Sequence, residues 1–203
     1  MIGSARLATL DRHTLGQTSV GDRRPAQRMN PQAEIRIDPA RPADWPAIRT
    51  IHAEGIATGD ATFETTPPPD WETWLQGRLP ESVRVLRADG QVRAWAALMT
   101  VSGRCFYTGV AEVSLYVAAA ARGQGLGRRL LADLIEGSEQ RGLWSLQAKV
   151  FPENGPSLAL FRGQGFRVVG FLKRVGRMEA GPLRGHWRDV LLLERRSQIV
   201  GID

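Results

Sequence analysis

A junction near the middle of the chain limits its possible folds more than any other stretch. An alternating strand, Glu112 to Val117, runs through Ala118 to Ala121 into Arg122-Gly123-Gln124-Gly125-Leu126-Gly127. A helix follows, with Leu126, Leu130, Leu131, Leu134 and Ile135 on one side. Strand, glycine turn and helix in that order leave the first amides of the helix unpaired and pointing outward, and the macrodipole adds partial positive charge there. Such an end is a seat for phosphate. The glycines matter because a Cβ would restrict φ and hold a ligand's oxygens away from the amides. A Walker loop requires Gly-Lys followed by Ser or Thr, and this chain has Gly127-Arg128-Arg129. A dinucleotide fingerprint requires G-x-G-x-x-G, and Arg128 occupies the third glycine slot. Neither pattern is met, and a tight turn without a ligand stays open as the alternative.

Around this junction the hydrophobic periodicity alternates between strands and helices. Glu34 to Ile37 reads as a short strand. Asp44 is expected to cap a helix over 45–57, with Pro46 in its first turn and Trp45, Ile48, Ile51 and Ile56 repeating at helical spacing. Asp70 is expected to cap a second helix over 70–78, with Trp71, Trp74, Leu75 and Leu79 as a packing face. Val83 to Arg87 and Gln91 to Met99 read as strands joined by Asp89-Gly90, which supplies positive φ for a tight hairpin. Cys105 to Thr108 and Glu112 to Val117 read as a further antiparallel pair, and helices are expected over 126–141 and 157–164.

Composition removes several function classes. The chain has 203 residues with 27 basic and 21 acidic side chains, a formal charge of +6, and half of that excess lies in residues 1–33, which hold five Arg and two Asp. The remainder is spread rather than gathered into a stripe, so nucleic-acid binding is not expected. No run of 18 apolar residues is present, so no membrane helix is expected. Cys105 is the single cysteine, and His13, His52 and His186 lie at no ligand spacing, so neither a disulfide nor a metal site is expected. A reducing, cytoplasmic setting is the economical expectation. Residues 1–33 lack periodicity and read as disordered, with Met29 as an expected native start; residues 34–196 read as one domain, and 197–203 as a tail.

Arg122-x-x-Gly125-x-Gly127 after a strand resembles the acetyl-CoA pyrophosphate turn of the GNAT acyltransferase superfamily. More closely, the chain resembles the phosphinothricin and methionine sulfoximine N-acetyltransferase branch, over nearly all of residues 34–195. The resemblance runs through Gly59-Asp60-Ala61-Thr62-Phe63-Glu64, Ala111-Glu112-Val113-Ser114-Leu115-Tyr116-Val117 and Phe151-Pro152-Glu153-Asn154-Gly155-Pro156-Ser157. It continues through Leu160-Phe161-Arg162-Gly163-Gln164-Gly165-Phe166 and Gly185-His186-Trp187-Arg188-Asp189-Val190. It implies an α/β (α+β) GNAT fold: a mixed, mostly antiparallel, splayed sheet of about seven strands flanked by helices, with acetyl-CoA in the splay. It also implies a small amine acceptor and a homodimer.

Residue roles follow from the resemblance together with the chemistry. Moving an acetyl group from a thioester to an amine requires a neutral nitrogen, and an ordinary aliphatic amine is largely protonated at neutral pH. Glu112, at the strand's entrance and on the face shared with Ser114 and Tyr116, is the expected general base. Leu115, Tyr116 and Val117 are expected to offer backbone groups to the pantetheine arm. Arg122, Gly123, Gln124, Gly125, Leu126, Gly127 and Arg128 are expected to hold the pyrophosphate, with Asn154 and Ser157 as further cofactor contacts. Thr62, Phe63, Glu64, Trp187 and Arg188 are the expected acceptor contacts. The wider superfamily often places a Tyr after the Asn as acid for the departing thiolate, whereas this chain has Leu160-Phe161; Tyr107 and Tyr116 stay open as donors, and no acid is assigned. An acetyltransferase of protein N-termini or lysines is the same-class alternative, and a catalytically silent acyl-CoA-binding module is the alternative from another class.

Overall fold

The structure is a computed structural model that describes residues 34–202, so the expectations for 1–33, Met29 included, lie outside the described residues. In chain order the elements are β1 (Ile35–Pro39), α1 (Trp45–Ala57), α2 (Trp71–Leu75), β2 (Arg84–Ala88), β3 (Gln91–Thr100) and β4 (Val110–Val117). They continue as α3 (Leu126–Gln140), β5 (Ser145–Val150), α4 (Gly155–Arg162), β6 (Arg167–Arg177) and β7 (Trp187–Arg196). The seven strands form one sheet in the order β1-β2-β3-β4-β5-β7-β6. Every neighbouring pair is antiparallel except β4 with β5.

Local chemistry explains most of the boundaries. Asp70 caps α2 by accepting from Thr73 N at 2.8 Å. The helix stops at Leu75, shorter than 70–78, because Gly77 turns the chain with φ 75° and Arg78 then bridges to Met99. Asp89 and Gly90, at φ 50° and 74°, make the hairpin between β2 and β3. Asp44 stands at the head of α1 but does not cap it: its carboxylate accepts from Arg41 N at 3.0 Å and from Arg87 at 2.9 Å. The carboxylate is turned back to Arg41 N and held there by the charge-assisted bond from Arg87 of β2, away from the amides of α1. Cys105 to Thr108 is not a strand. β3 pairs directly with β4, Thr100 facing Ala111, so the intervening residues form a hairpin loop in which Cys105–Tyr107 is a 3-10 turn with Phe106 and Tyr107 exposed.

Alternation along β4 sends two helix layers to opposite faces. Tyr116 meets α1, where the backbone approaches so closely that a Cβ on Gly55 would stand 2.6 Å from the Tyr116 ring. On the other face, a Cβ on Gly127 of α3 would meet Leu160 and Val117 at 3.4 Å. The buried stripe of α3, Leu126, Leu130, Leu131, Leu134 and Ile135, packs on that side. At about 1.5–3 kcal/mol for each fully buried side chain, this stripe is what makes the helix stable.

The feature that positions the site is a parting of strands. β4 pairs with β3 over residues 111–117, yet it pairs with β5 only at Val110, Ala111 and Glu112. Beyond Gln147, β5 stays with β7 and leaves β4, so among the described residues Val113 to Val117 have no strand on that edge. A V-shaped gap opens with Glu112 at its crotch.

Candidate functional site

A cavity of about 680 Å³ occupies the gap between the parted strands, lined from both faces of β4, and reaches the crotch. Its lining includes Thr62, Phe63 and Glu64 from the loop after α1, Glu112 to Tyr116 from β4, Lys149 and Val150 from β5, and Asn154, Ser157 and Phe161. His52, Arg78 and Trp95 complete the floor.

Glu112 Oε2 accepts from Lys149 Nζ at 2.7 Å, with the two side chains 27% and 52% exposed. The parallel register puts Gln147 opposite Glu112, and Lys149, two residues further on, shares its face. Both ends of this ion pair therefore point into the cavity. A second hydrogen-bonded pair joins α1 to the loop that follows it. His52, on the buried side of α1, holds Glu64 Oε2 at 2.7 Å through Nε2, and its ring stands edge-on to Tyr116 and Trp95. The hydrogen bond from His52, reinforced by Arg78, keeps the Glu64 carboxyl below the usual carboxylate range. Burial pushes the Tyr116 phenol up and the Arg78 guanidinium down.

The glycine turn lies at the other end of β4, about 16 Å of strand beyond Glu112. Gly123 and Gly125 take φ 75° and 77°, and a Cβ on either would meet open space, so it is the backbone conformation, and not crowding, that favours glycine. Arg122 Nε donates to Val117 O and Gln124 Nε2 to Ala120 O, which spends these side chains on holding the turn. α3 has no side-chain cap, and its first helical bond runs from Arg129 N to Gly125 O, leaving the amides of Leu126, Gly127 and Arg128 ahead of the ladder. The Leu126 side chain is core. Arg128 and Arg129 are exposed in that first turn, where the macrodipole disfavours cations unless an anion joins them.

The remaining expected residues divide. Asn154 caps α4, accepting from Ser157 N at 3.1 Å, and donates to Asp60 O at 2.8 Å. Phe63 stacks edge-on with Phe151 at 4.9 Å and packs against Met178 and Val190. Trp187 and Arg188 are not among the residues around the cavity. Trp187 is 59% exposed, and Arg188 is 5% exposed and engaged with the protein. Its guanidinium donates to Gly59 O, Asp60 Oδ1 and Glu153 Oε2 at 2.8–2.9 Å and lies 4.2 Å from the Phe151 ring centroid. Burial opposes that charge, but the bonds to Glu153 and Asp60 outweigh it and hold the guanidinium above its usual range. Arg188 therefore straps the loop carrying Thr62 to Glu64 onto the segment before α4. Arg188→Ala is expected to cost about 1–3 kcal/mol, read as a lower urea midpoint, with faster amide exchange confined to residues 59–64. Because Asp60 is about half exposed, the lower end applies.

Sequence reasoning did not single out His52, Arg78 or Lys149 for the site. The one available signal for Lys149 was scarcity: it and Lys173 are the only lysines in an arginine-rich chain. No helix among the described residues is long and apolar enough to cross a membrane, and they contain no cluster of three metal-ligating side chains.

The site can be set beside known proteins. The acetyltransferase (GNAT) family model matches residues 45–166. A phosphinothricin N-acetyltransferase of Alcaligenes faecalis is 36% identical over 76% of this chain and 79% of its own. An L-methionine sulfoximine/L-methionine sulfone acetyltransferase of Pseudomonas paraeruginosa is 29% identical over 75% of this chain and 88% of its own. The crystal structure of a GNAT superfamily phosphinothricin acetyltransferase from Sinorhizobium meliloti in complex with AcCoA superposes with a TM-score of 0.72 at 28% identity, covering 84% of this chain and 91% of that one.

Proposed function

The chain belongs to the acetyltransferase (GNAT) family, whose acyl donor is acetyl-CoA, and from that premise we propose that it acetylates the primary amine of a small amino-acid-like molecule of the phosphinothricin or methionine sulfoximine type. The observation that carries this reading is the Glu112 carboxylate at the crotch of the parted strands, facing a cavity of about 680 Å³. That volume suits a small molecule.

The residues present fit acetyl-CoA. The amides at the head of α3, with Arg128 beside them, form a cradle for a diphosphate, and the free edge of Leu115 to Val117 offers backbone groups to an amide-bearing arm. When bound, the thioester supplies an activated acetyl carbon. Glu112 takes a proton from the acceptor's ammonium, directly or through one water, and so generates the nucleophile. Thr62, Phe63 and Glu64 line the acceptor's side of the cavity, and Arg188 acts there through its strap on their loop. Asn154 couples the two halves, since its amide ties the head of α4 to Asp60.

Gly125→Asp is expected to weaken acetyl-CoA binding by about 1–2 kcal/mol, roughly tenfold, because a carboxylate would stand where the diphosphate is held. Asp tolerates a positive φ, so the fold should survive, and Gly125→Asn separates bulk from charge by losing less affinity. Titration calorimetry reads both variants. For the reaction itself, thiol release from acetyl-CoA should be followed with phosphinothricin, methionine sulfoximine, free amino acids and short peptides. Release with the sulfoximine or phosphinothricin and none with peptides is the expected outcome. Release with peptides alone would replace this reading by acetylation of protein N-termini, and binding of acetyl-CoA without turnover on the whole panel would leave a silent module.

A further inference from the structure

We propose that Lys149 is a catalytic residue, the cation that receives the coenzyme A thiolate as it departs; the inference rests on the acetyl-transfer reading above. Lys149 lies on β5 two residues beyond Gln147, the last residue paired with β4, and its ammonium meets Glu112 at 2.7 Å across the crotch of the V. It faces the cavity, and among the described residues its hydrogen bond is to Glu112 alone.

The alternatives around it are weaker. Phe161 lines the cavity, and a phenyl ring offers neither proton nor charge. Tyr107 sits on the exposed turn before β4 and does not border the cavity. Tyr116 borders it, but its ring is stacked on Trp95 at 4.6 Å and burial makes its phenol a poorer acid. Arg78 lies 4.5 Å over the Trp74 ring and donates to Trp74 O, and His52 is held by Glu64.

Charge then balances at each step. Glu112 takes one proton from the acceptor's ammonium, and the freed nitrogen bonds to the acetyl carbon. The carbon–sulfur bond breaks with its electron pair on sulfur, and the thiolate pairs with the Lys149 ammonium, whose carboxylate partner has by then been neutralised. Of the two protons the nitrogen loses, one ends on sulfur and one in solvent. The products are the amide and coenzyme A. A cation preset where negative charge develops is the electrostatic form of catalysis.

The test compares Lys149→Met and Lys149→Arg with the wild-type chain. Removal of one such charge typically costs roughly 10²–10³-fold in kcat, and exposure of Lys149 puts the Met variant at the lower end or below it. A second readout is independent of turnover: the thiol of bound coenzyme A, titrated by ultraviolet thiolate absorbance, should ionise about one unit lower in the wild type than in Lys149→Met. Lys149→Arg should restore most of that difference. The other charged or titratable groups of the cavity, Glu112, Glu64, Arg78 and His52, are common to all three chains, so the difference isolates Lys149. Identical titration in the wild type and Lys149→Met overturns the proposal. So does a Met variant with unmoved thiol titration and a raised KM for amino acids but not for amines lacking a carboxylate, which would make Lys149 an acceptor contact. So does acetyl mass on the Lys149 peptide after incubation with acetyl-CoA alone, which would make it an acceptor itself. Absence of heat on mixing the wild-type chain with acetyl-CoA would remove the acetyl-transfer reading first.

Discussion

Glu112→Gln is expected to lower kcat by roughly 10²–10⁴-fold and to leave acetyl-CoA affinity near the wild-type value. Gln keeps the size of the side chain and can still bond to Lys149 through its amide oxygen, but it cannot take a proton. The variant must then wait for acceptor that is already neutral, a minor species at neutral pH. Its rate should therefore climb about tenfold per pH unit through the neutral range, following the free-amine fraction, while the wild-type profile flattens. The diphosphate seat at the head of α3 lies about 16 Å along β4 from the substitution, which is why binding should be spared. One side effect needs separating, since Gln removes the negative partner of Lys149. The double variant with Lys149→Met isolates it: loss of the base should dominate, and the two effects should be non-additive because the residues touch. A kcat within about twofold of wild type would exclude Glu112 as the base.

How much of this was legible in the sequence depends on how local each cause is. The turn at Gly123 and Gly125 was legible because positive φ is a one-residue property, and the stripe of α3 because its period lies within one helix. The hairpin at Asp89-Gly90 was legible for the same reason. The ion pair at the crotch was not, because it depends on β4 and β5 holding register for three pairs and then separating, and no short stretch encodes that. Arg188 illustrates the converse: its place beside Trp187 suggested contact with the acceptor, but its acceptors sit more than a hundred positions upstream, at Gly59 and Asp60, and at Glu153. Cys105 to Thr108 misled because an aromatic run imitates a strand, and only the direct pairing of β3 with β4 shows that no partner is left for it. Asp44 had the right residue type for a cap, and a distant arginine claimed its carboxylate.

The largest stability effect is expected from Trp95→Ala, at about 3–5 kcal/mol, a substantial share of the roughly 5–15 kcal/mol that holds a domain folded. Trp95 is 0% exposed on β3, with the Tyr116 ring stacked on it at 4.6 Å and the Trp74 ring edge-on at 5.1 Å. Its removal would open a cavity beneath Tyr116 and beside His52, so the floor of the site would lose its support together with the core. One contribution runs the other way. The Trp95 indole N–H is buried without a partner among the described residues, and such an orphan donor itself costs about 1–3 kcal/mol. Trp95→Phe keeps a ring against Tyr116 and discards the orphan, so it should cost far less than the alanine variant despite the lost volume. Urea unfolding of the two variants reads this directly, the midpoint falling steeply for Ala and little for Phe. A loss below about 1 kcal/mol for Trp95→Ala would mean that the aromatic stack does not anchor this face of the sheet. With Trp95→Phe well folded, its kcat reports whether Tyr116 needs the full indole beneath it to hold the acceptor's side of the cavity in place. A normal kcat would locate the contribution of Trp95 in folding alone.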